Sequence, residues 1–125
     1  MANEITIAGN FSVTDANSTF SLPKFGATNL QADQANPGIL HFTQNVGTSA
    51  ETLDTTGMTN EGWCIIKNLD STNFITVGPD STGQVDFLKI LPGEQAGPMQ
   101  LNPAVVVKAT ADTAACDVEI IVLEA

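Results

Sequence analysis

His41 is the only histidine of the chain, and Cys64 and Cys116 are its only cysteines. Nucleophilic, acid–base or soft-metal chemistry would have to be built on these three. A metal centre on a β-sandwich draws on a cluster of His and carboxylate ligands, which a single histidine does not supply. A Ser/His/Asp or Cys/His machine needs a nucleophile and a base held by a third group. His41 sits in the alternating run Ile39-Leu-His-Phe-Thr43 and reads as a structural or surface strand residue. The cysteines lie far apart, with no Cys-x-x-Cys and no Cys–His pairing. Two readings stay open for them: buried thiols acting as small hydrophobes, or a strand-to-strand disulfide formed in an oxidising compartment.

Acids are plentiful, with 14 Asp and Glu. Glycoside hydrolysis uses two of them a few ångströms apart in a cleft usually lined with aromatics. Trp63 is the sole tryptophan and there is no tyrosine. The same shortage argues against a carbohydrate-binding module, which stacks sugar rings on aromatic faces. Asp54-Thr-Thr-Gly57 and Asp80-Ser-Thr-Gly83 are oxygen-rich loops, but neither has the alternating acids of a calcium loop, and they read as solvated turns. No glycine loop of the phosphate-cradling kind is present. The residues therefore nominate no catalytic group, no cofactor and no metal ligand.

The elements that would position any site are β-strands. Trp63–Leu69 is apolar on both faces, with Cys64, Ile66 and Asn68 on one and Trp63, Ile65, Lys67 and Leu69 on the other. That predicts a strand interior to its sheet. Asp70-Ser-Thr-Asn73 has turn chemistry, and Phe74-Ile-Thr-Val77 is expected to pair back as a hairpin. Gly78–Gly83 reads as an exposed loop, Val85–Leu91 as a third strand, and Pro92-Gly93 as its stop. Ala96–Leu101 contains Pro98, which cannot donate to a ladder, and is expected at a sheet edge. Ala104–Ala109 is a β-branched run predicted to be covered on both faces, with Thr110–Ala114 a loop after it. Asp117–Glu124 closes the chain, with Cys116, Val118, Ile120 and Val122 inward, and is expected near the middle of a sheet. Upstream, Pro37-Gly38 is a turn, Ile39–Val46 a strand and Thr48–Asp54 a short one. About eight short strands with turns between them predict an all-β, antiparallel β-sandwich or barrel.

Residues 1–36 are different. Glu4–Ile7 suits a short strand, with Ile5 and Ile7 on one face. Phe11, Val13, Phe20, Leu22 and Phe25 are spread among Asn, Ser, Thr and Asp, and Pro23 interrupts. We read this stretch as an extended N-terminal arm whose apolar side chains pack on another surface, and residues 37–125 as the sandwich domain. Those five residues are the candidate interface.

Bulk properties narrow the partners. A chain of 125 residues can bury roughly two-thirds of its unfolded surface, enough for its own core. Only 14% of residues are charged, against about 25% in ordinary domains; a surface rich in Thr, Ser, Asn and Gln suits a subunit covered by partners. Net charge is −10, with four lysines and no arginine. Nucleic acid and anionic membrane are excluded as ligands, since both need cationic side chains. No apolar run approaches the roughly 20 residues of a membrane span. Met1-Ala-Asn-Glu-Ile lacks the basic and apolar regions of a signal peptide, so synthesis in a cytoplasm is expected.

Three segments in sequence carry a resemblance: Ile65-Ile-Lys-Asn-Leu-Asp-Ser-Thr-Asn-Phe-Ile-Thr-Val-Gly78, Phe87-Leu-Lys-Ile-Leu-Pro-Gly-Glu94, and Val106-Val-Lys-Ala-Thr-Ala-Asp112. Their order and spacing resemble those of small virion proteins of tailed bacteriophages. The resemblance covers residues 62–125, about half the chain. It implies a jelly-roll-like sandwich that acts as a capsid decoration, or cement, protein. The partners it implies are the major capsid protein and copies of the chain itself, as a trimer or dimer. It places the protein on the virion, after synthesis in the host cytoplasm. Two further readings fit the residues: another virion component (tail, head–tail or fibre-associated domain), and a β-sandwich module holding sugar or calcium in the Thr55–Gly62 or Gly78–Gly83 loops.

Overall fold

The computed structural model describes residues 4–14, 16, 17, 19–22, 30–80 and 83–125. These residues form twelve strands and no helix. The chain divides into two compact units, Met1–Ala35 and Asn36–Ala125.

The second unit holds eight strands: β5 (Ile39–Val46), β6 (Glu51–Thr52), β7 (Glu61–Asn68), β8 (Ile75–Pro79), β9 (Leu88–Ile90), β10 (Gln95–Gln100), β11 (Val107–Ala111) and β12 (Cys116–Glu124). They make two four-stranded sheets, ordered β10-β7-β12-β5 and β6-β11-β8-β9, and every pairing is antiparallel. The first strand of the unit pairs with the last, the second with the seventh, the third with the sixth, and the fourth with the fifth. This is the order left when one long antiparallel ribbon is folded over on itself. The fold is thus all-β, and its two antiparallel sheets face each other as a sandwich.

Alternation builds the core. Along β12, Cys116, Val118, Ile120 and Val122 are buried, while Asp117 is exposed. β7 places Cys64, Ile66 and Asn68 on the same inner layer. The facing sheet contributes Ile75, Val77, Ile90, Ala109 and Ala111. Bulky branched residues on β7 and β12 share this core with alanines on β11. Both β7 and β12 are interior strands, as the two-sided apolar pattern of the first and the strongly apolar run of the second predict. β10 lies at an edge, and its ladder with β7 breaks register between Ala96 and Met99, around Pro98.

Three expectations are corrected. First, Phe74–Val77 does not pair back on the preceding strand: β8 belongs to the other sheet, between β11 and β9. Asp70 Oδ2 accepts the amides of Thr72 (2.9 Å) and Asn73 (2.6 Å), and Asn68 Oδ1 accepts that of Asp70 (3.0 Å). These bonds turn the chain out of one layer and into the other. Second, the β-branched run starts its strand only at Val107 and continues through Ala111. Asn102 accepts the amides of Ala104 on its side chain (3.1 Å) and of Val105 on its carbonyl (3.0 Å), so these residues form a turn, and Val105 and Val106 are left exposed. Third, Gly78 and Pro79 belong to β8, Gly78 is buried, and the third strand shortens to Leu88–Ile90.

Gly78 shows why that third region departs from a simple loop. Residues 85–87 pass directly over it: Phe87 N donates to Val77 O (3.1 Å) and Val85 N to Pro79 O (2.9 Å). A Cβ on residue 78 would lie 1.6 Å from Val85 O. Gly78→Ala is therefore expected to cost more than the ~1–3 kcal/mol usual for overpacking, because the clash is with main chain. Thermal unfolding of the variant measures it; an unchanged midpoint would contradict the crossing.

Within the first unit, β1 (Ile5–Ile7) pairs antiparallel with β4 (Leu30–Ala32), and β2 (Phe11–Thr14) with β3 (Thr19–Leu22). The stretch expected as an extended arm thus pairs with itself over its described residues. Glu4 Oε2 accepts the amide of Gln34 (3.2 Å) beside the β1–β4 ladder.

Candidate functional site

The register of β2 and β3 sets Phe11 opposite Leu22 and Val13 opposite Phe20. Cross-strand partners share a face and successive residues alternate. Phe11, Val13, Phe20 and Leu22 therefore form one side of the ribbon, and Ser12, Thr14, Thr19 and Ser21 the other. The aromatic pair meets diagonally, edge to face, with ring centroids 6.3 Å apart. All four apolar residues are exposed: Phe11 by 60% and Phe20 by 55%. Neither strand carries a charge. The structure so brings together four of the five residues nominated from sequence; Phe25 lies outside the described residues.

A second apolar region lies on the other unit. A cleft of about 440 Å³ is lined by Val77, Pro79, Phe87, Leu88, Met99 and Leu101, among others. Phe87 is 78% exposed at its edge, and Val105 is also exposed. By residue type Phe87 reads as one more strand residue. The signal was its parity: Phe87 alternates with Leu88 and Ile90 and shares its side with Lys89, which must face water.

The residues weighed for chemistry are otherwise engaged. His41 Nε2 lies 2.8 Å from Glu119 Oε2 on the outer face of β5 and β12. Cys64 and Cys116 are both buried and unbonded. Cys64 pairs across the ladder with Val122, six residues along β12 from Cys116. At about 3.3 Å per residue the two thiols sit far beyond disulfide reach. Burial pushes the Cys64 thiol up to about 12 and raises that of Cys116 as well. Among the described residues no group of three or more His, Cys, Asp or Glu is placed to hold a metal ion.

In the loops weighed for calcium, the acids act as turn locks. Asp54 Oδ1 accepts from Thr56 Oγ1 (2.5 Å) and Thr56 N (3.1 Å). Asp80 accepts from Lys108 Nζ (3.0 Å) and Gly83 N (2.8 Å). These bonds hold both carboxyls below the ordinary 3.8, with the Thr56 hydroxyl leading at Asp54 and the Lys108 bond at Asp80. Asp70 is lowered likewise, chiefly by the amides of Asn73 and Thr72. Since each folded pKa is depressed, the stability these groups add is present above the unfolded value and lost as pH falls through the folded ones. The unfolding midpoint is expected to fall as pH drops below 3.8, and Asp70→Asn should remove part of that slope. A midpoint flat through this range would contradict the turn locks.

Compared with protein-family models, with curated proteins and with solved structures, the chain matches none.

Proposed function

We propose that this chain is a non-enzymatic virion protein of the tailed-bacteriophage kind, a capsid decoration or cement protein bracing neighbouring capsomers. The observation that carries the proposal is the uncharged apolar face of Phe11, Val13, Phe20 and Leu22 on a short ribbon. Burying each fully stabilises a contact by roughly 1.5–3 kcal/mol, and repetition over a shell multiplies the gain through avidity. The strand pairing of the second unit, first with last and second with seventh, supports the reading, because it suits a jelly roll, an architecture used by viral capsid proteins among others. The resemblance of residues 62–125 to small virion proteins points the same way. The mechanism is passive: apolar burial between the ribbon and the major capsid protein, or a second copy, raises the temperature at which capsomers separate.

The test is addition of the purified chain to expanded shells that lack it. Wild type is expected to co-sediment with the shells and raise their disruption temperature. Phe11→Ser/Phe20→Ser, which alters no residue of the second unit, is expected to fold and to lose at least about tenfold in shell affinity; two lost apolar anchors of this size are worth that or more. Equal binding by both proteins would overturn the role of the ribbon.

A further inference from the structure

A sandwich of two open sheets has four edge strands, each a template for pairing with another chain unless it is blunted. Three of the four here are. β6 has two residues and β9 has three. β10 carries Pro98 and a register break. β5 differs: it runs eight residues, Ile39–Val46, in unbroken register with β12, and has no proline and no acidic or lysine side chain.

The direction of its free main-chain groups can be worked out. Gly38 O accepts the amide of Glu124 (2.9 Å), which continues the β5–β12 register by one pair. Main-chain groups alternate sides along an antiparallel strand. Those of Leu40, Phe42, Gln44 and Val46 therefore face β12, and those of Ile39, His41, Thr43 and Asn45 point away from the sheet. Among the described residues, nothing bonds these four outward-pointing amides and carbonyls.

We propose that β5 pairs antiparallel with β5 of a second copy, about a two-fold axis at Phe42, joining two four-stranded sheets into one of eight strands. In this register Ile39 stands opposite the second copy's Asn45, and His41 opposite the second copy's Thr43. Every outward main-chain group is used. Side chains keep their faces, because the pairing relates odd positions to odd and even to even. Phe42 meets its own counterpart at the axis, in the closer, non-hydrogen-bonded kind of pair.

The sequence of the strand itself selects a second copy as the occupant. Two chains that each carry −10 repel across most of their surfaces. β5 is an edge along which they can approach with no like charges opposed. The strand is also self-complementary, which is what an isologous two-fold contact requires. This pairing does not depend on a virion role, and either can fail without the other.

The test is the mass of the full-length chain by light scattering, for wild type and for Thr43→Pro. The Thr43 amide points away from β12, so proline there removes no bond within one copy but blocks the new ladder. Wild type is expected to be a dimer and Thr43→Pro a folded monomer. Amide exchange on the wild type supplies a second reading that needs no variant: His41, Thr43 and Asn45 should exchange roughly tenfold or more slower than exposed loop amides. A wild-type monomer or trimer, a dimer that survives Thr43→Pro, or fast exchange at those three amides would overturn the proposal.

Discussion

Removal of Cys116–Glu124 is expected to leave a chain that does not fold. β12 lies between β7 and β5 and pairs with both. Its loss strips two ladders at once and leaves a sheet in two pieces. It also removes Val118, Ile120 and Val122, each almost wholly buried. Burial of three such side chains contributes about 1.5–3 kcal/mol apiece, against a total stability of about 5–15 kcal/mol for a domain. Circular dichroism and amide-proton dispersion of the shortened chain measure the outcome. A cooperative unfolding transition would show that β7 and β5 hold together without β12, contrary to the observed pairing.

Asn68→Ala is expected to have the largest effect of any single truncation of a polar side chain. Asn68 is fully buried at the end of β7. Its Nδ2 donates to Asn73 O (2.8 Å) and Ile90 O (3.2 Å), while its Oδ1 accepts the amide of Asp70. Its own amide donates to Glu94 O and its carbonyl accepts from Gly93 N. One residue thus ties the end of β7 to the crossover turn, to β9 and to the turn before β10. Alanine removes these three side-chain bonds at once and leaves the Asp70 amide without its acceptor. At about 0.5–1.5 kcal/mol for each of the three bonds, the cost is about 1.5–4.5 kcal/mol. For a unit of this size each kcal/mol lowers Tm by about 4–8 °C. Asn68→Asp should be no better, since it keeps the acceptor but loses both donated bonds and buries a charge. A shift of only a degree or two for either variant would mean that water replaces the side chain, and that the hub is not what fixes the crossover.

These two residues also show what the sequence makes legible. β7 was readable as an interior strand because side chains on both of its faces are apolar, and β12 because its run is strongly apolar. Pro98 marked β10 as an edge. Asp70-Ser-Thr-Asn73 announced a turn, but turn chemistry does not say in which layer the next strand lies. That is decided by where the Asn68 amide and the Asp70 carboxylate find their partners. Val105 and Val106 look like strand residues by type, and Asn102 captures the adjoining main chain for a turn. The β5–β12 pairing joins the two ends of the second unit and leaves no local mark. At the candidate site, the spacing of Phe11 with Val13, and of Phe20 with Leu22, exposed an apolar alternation. The register that joins the two pairs into a single face was set by a turn whose type their spacing does not reveal.

The measurement that bears most directly on the virion proposal is the number of copies of this chain per particle, counted against the major capsid protein in purified virions. A decoration protein is expected in fixed proportion to the capsomers, as one of the more abundant proteins of the particle. A handful of copies per particle would place it in a tail or connector instead, and its absence from the particle would contradict the virion role altogether.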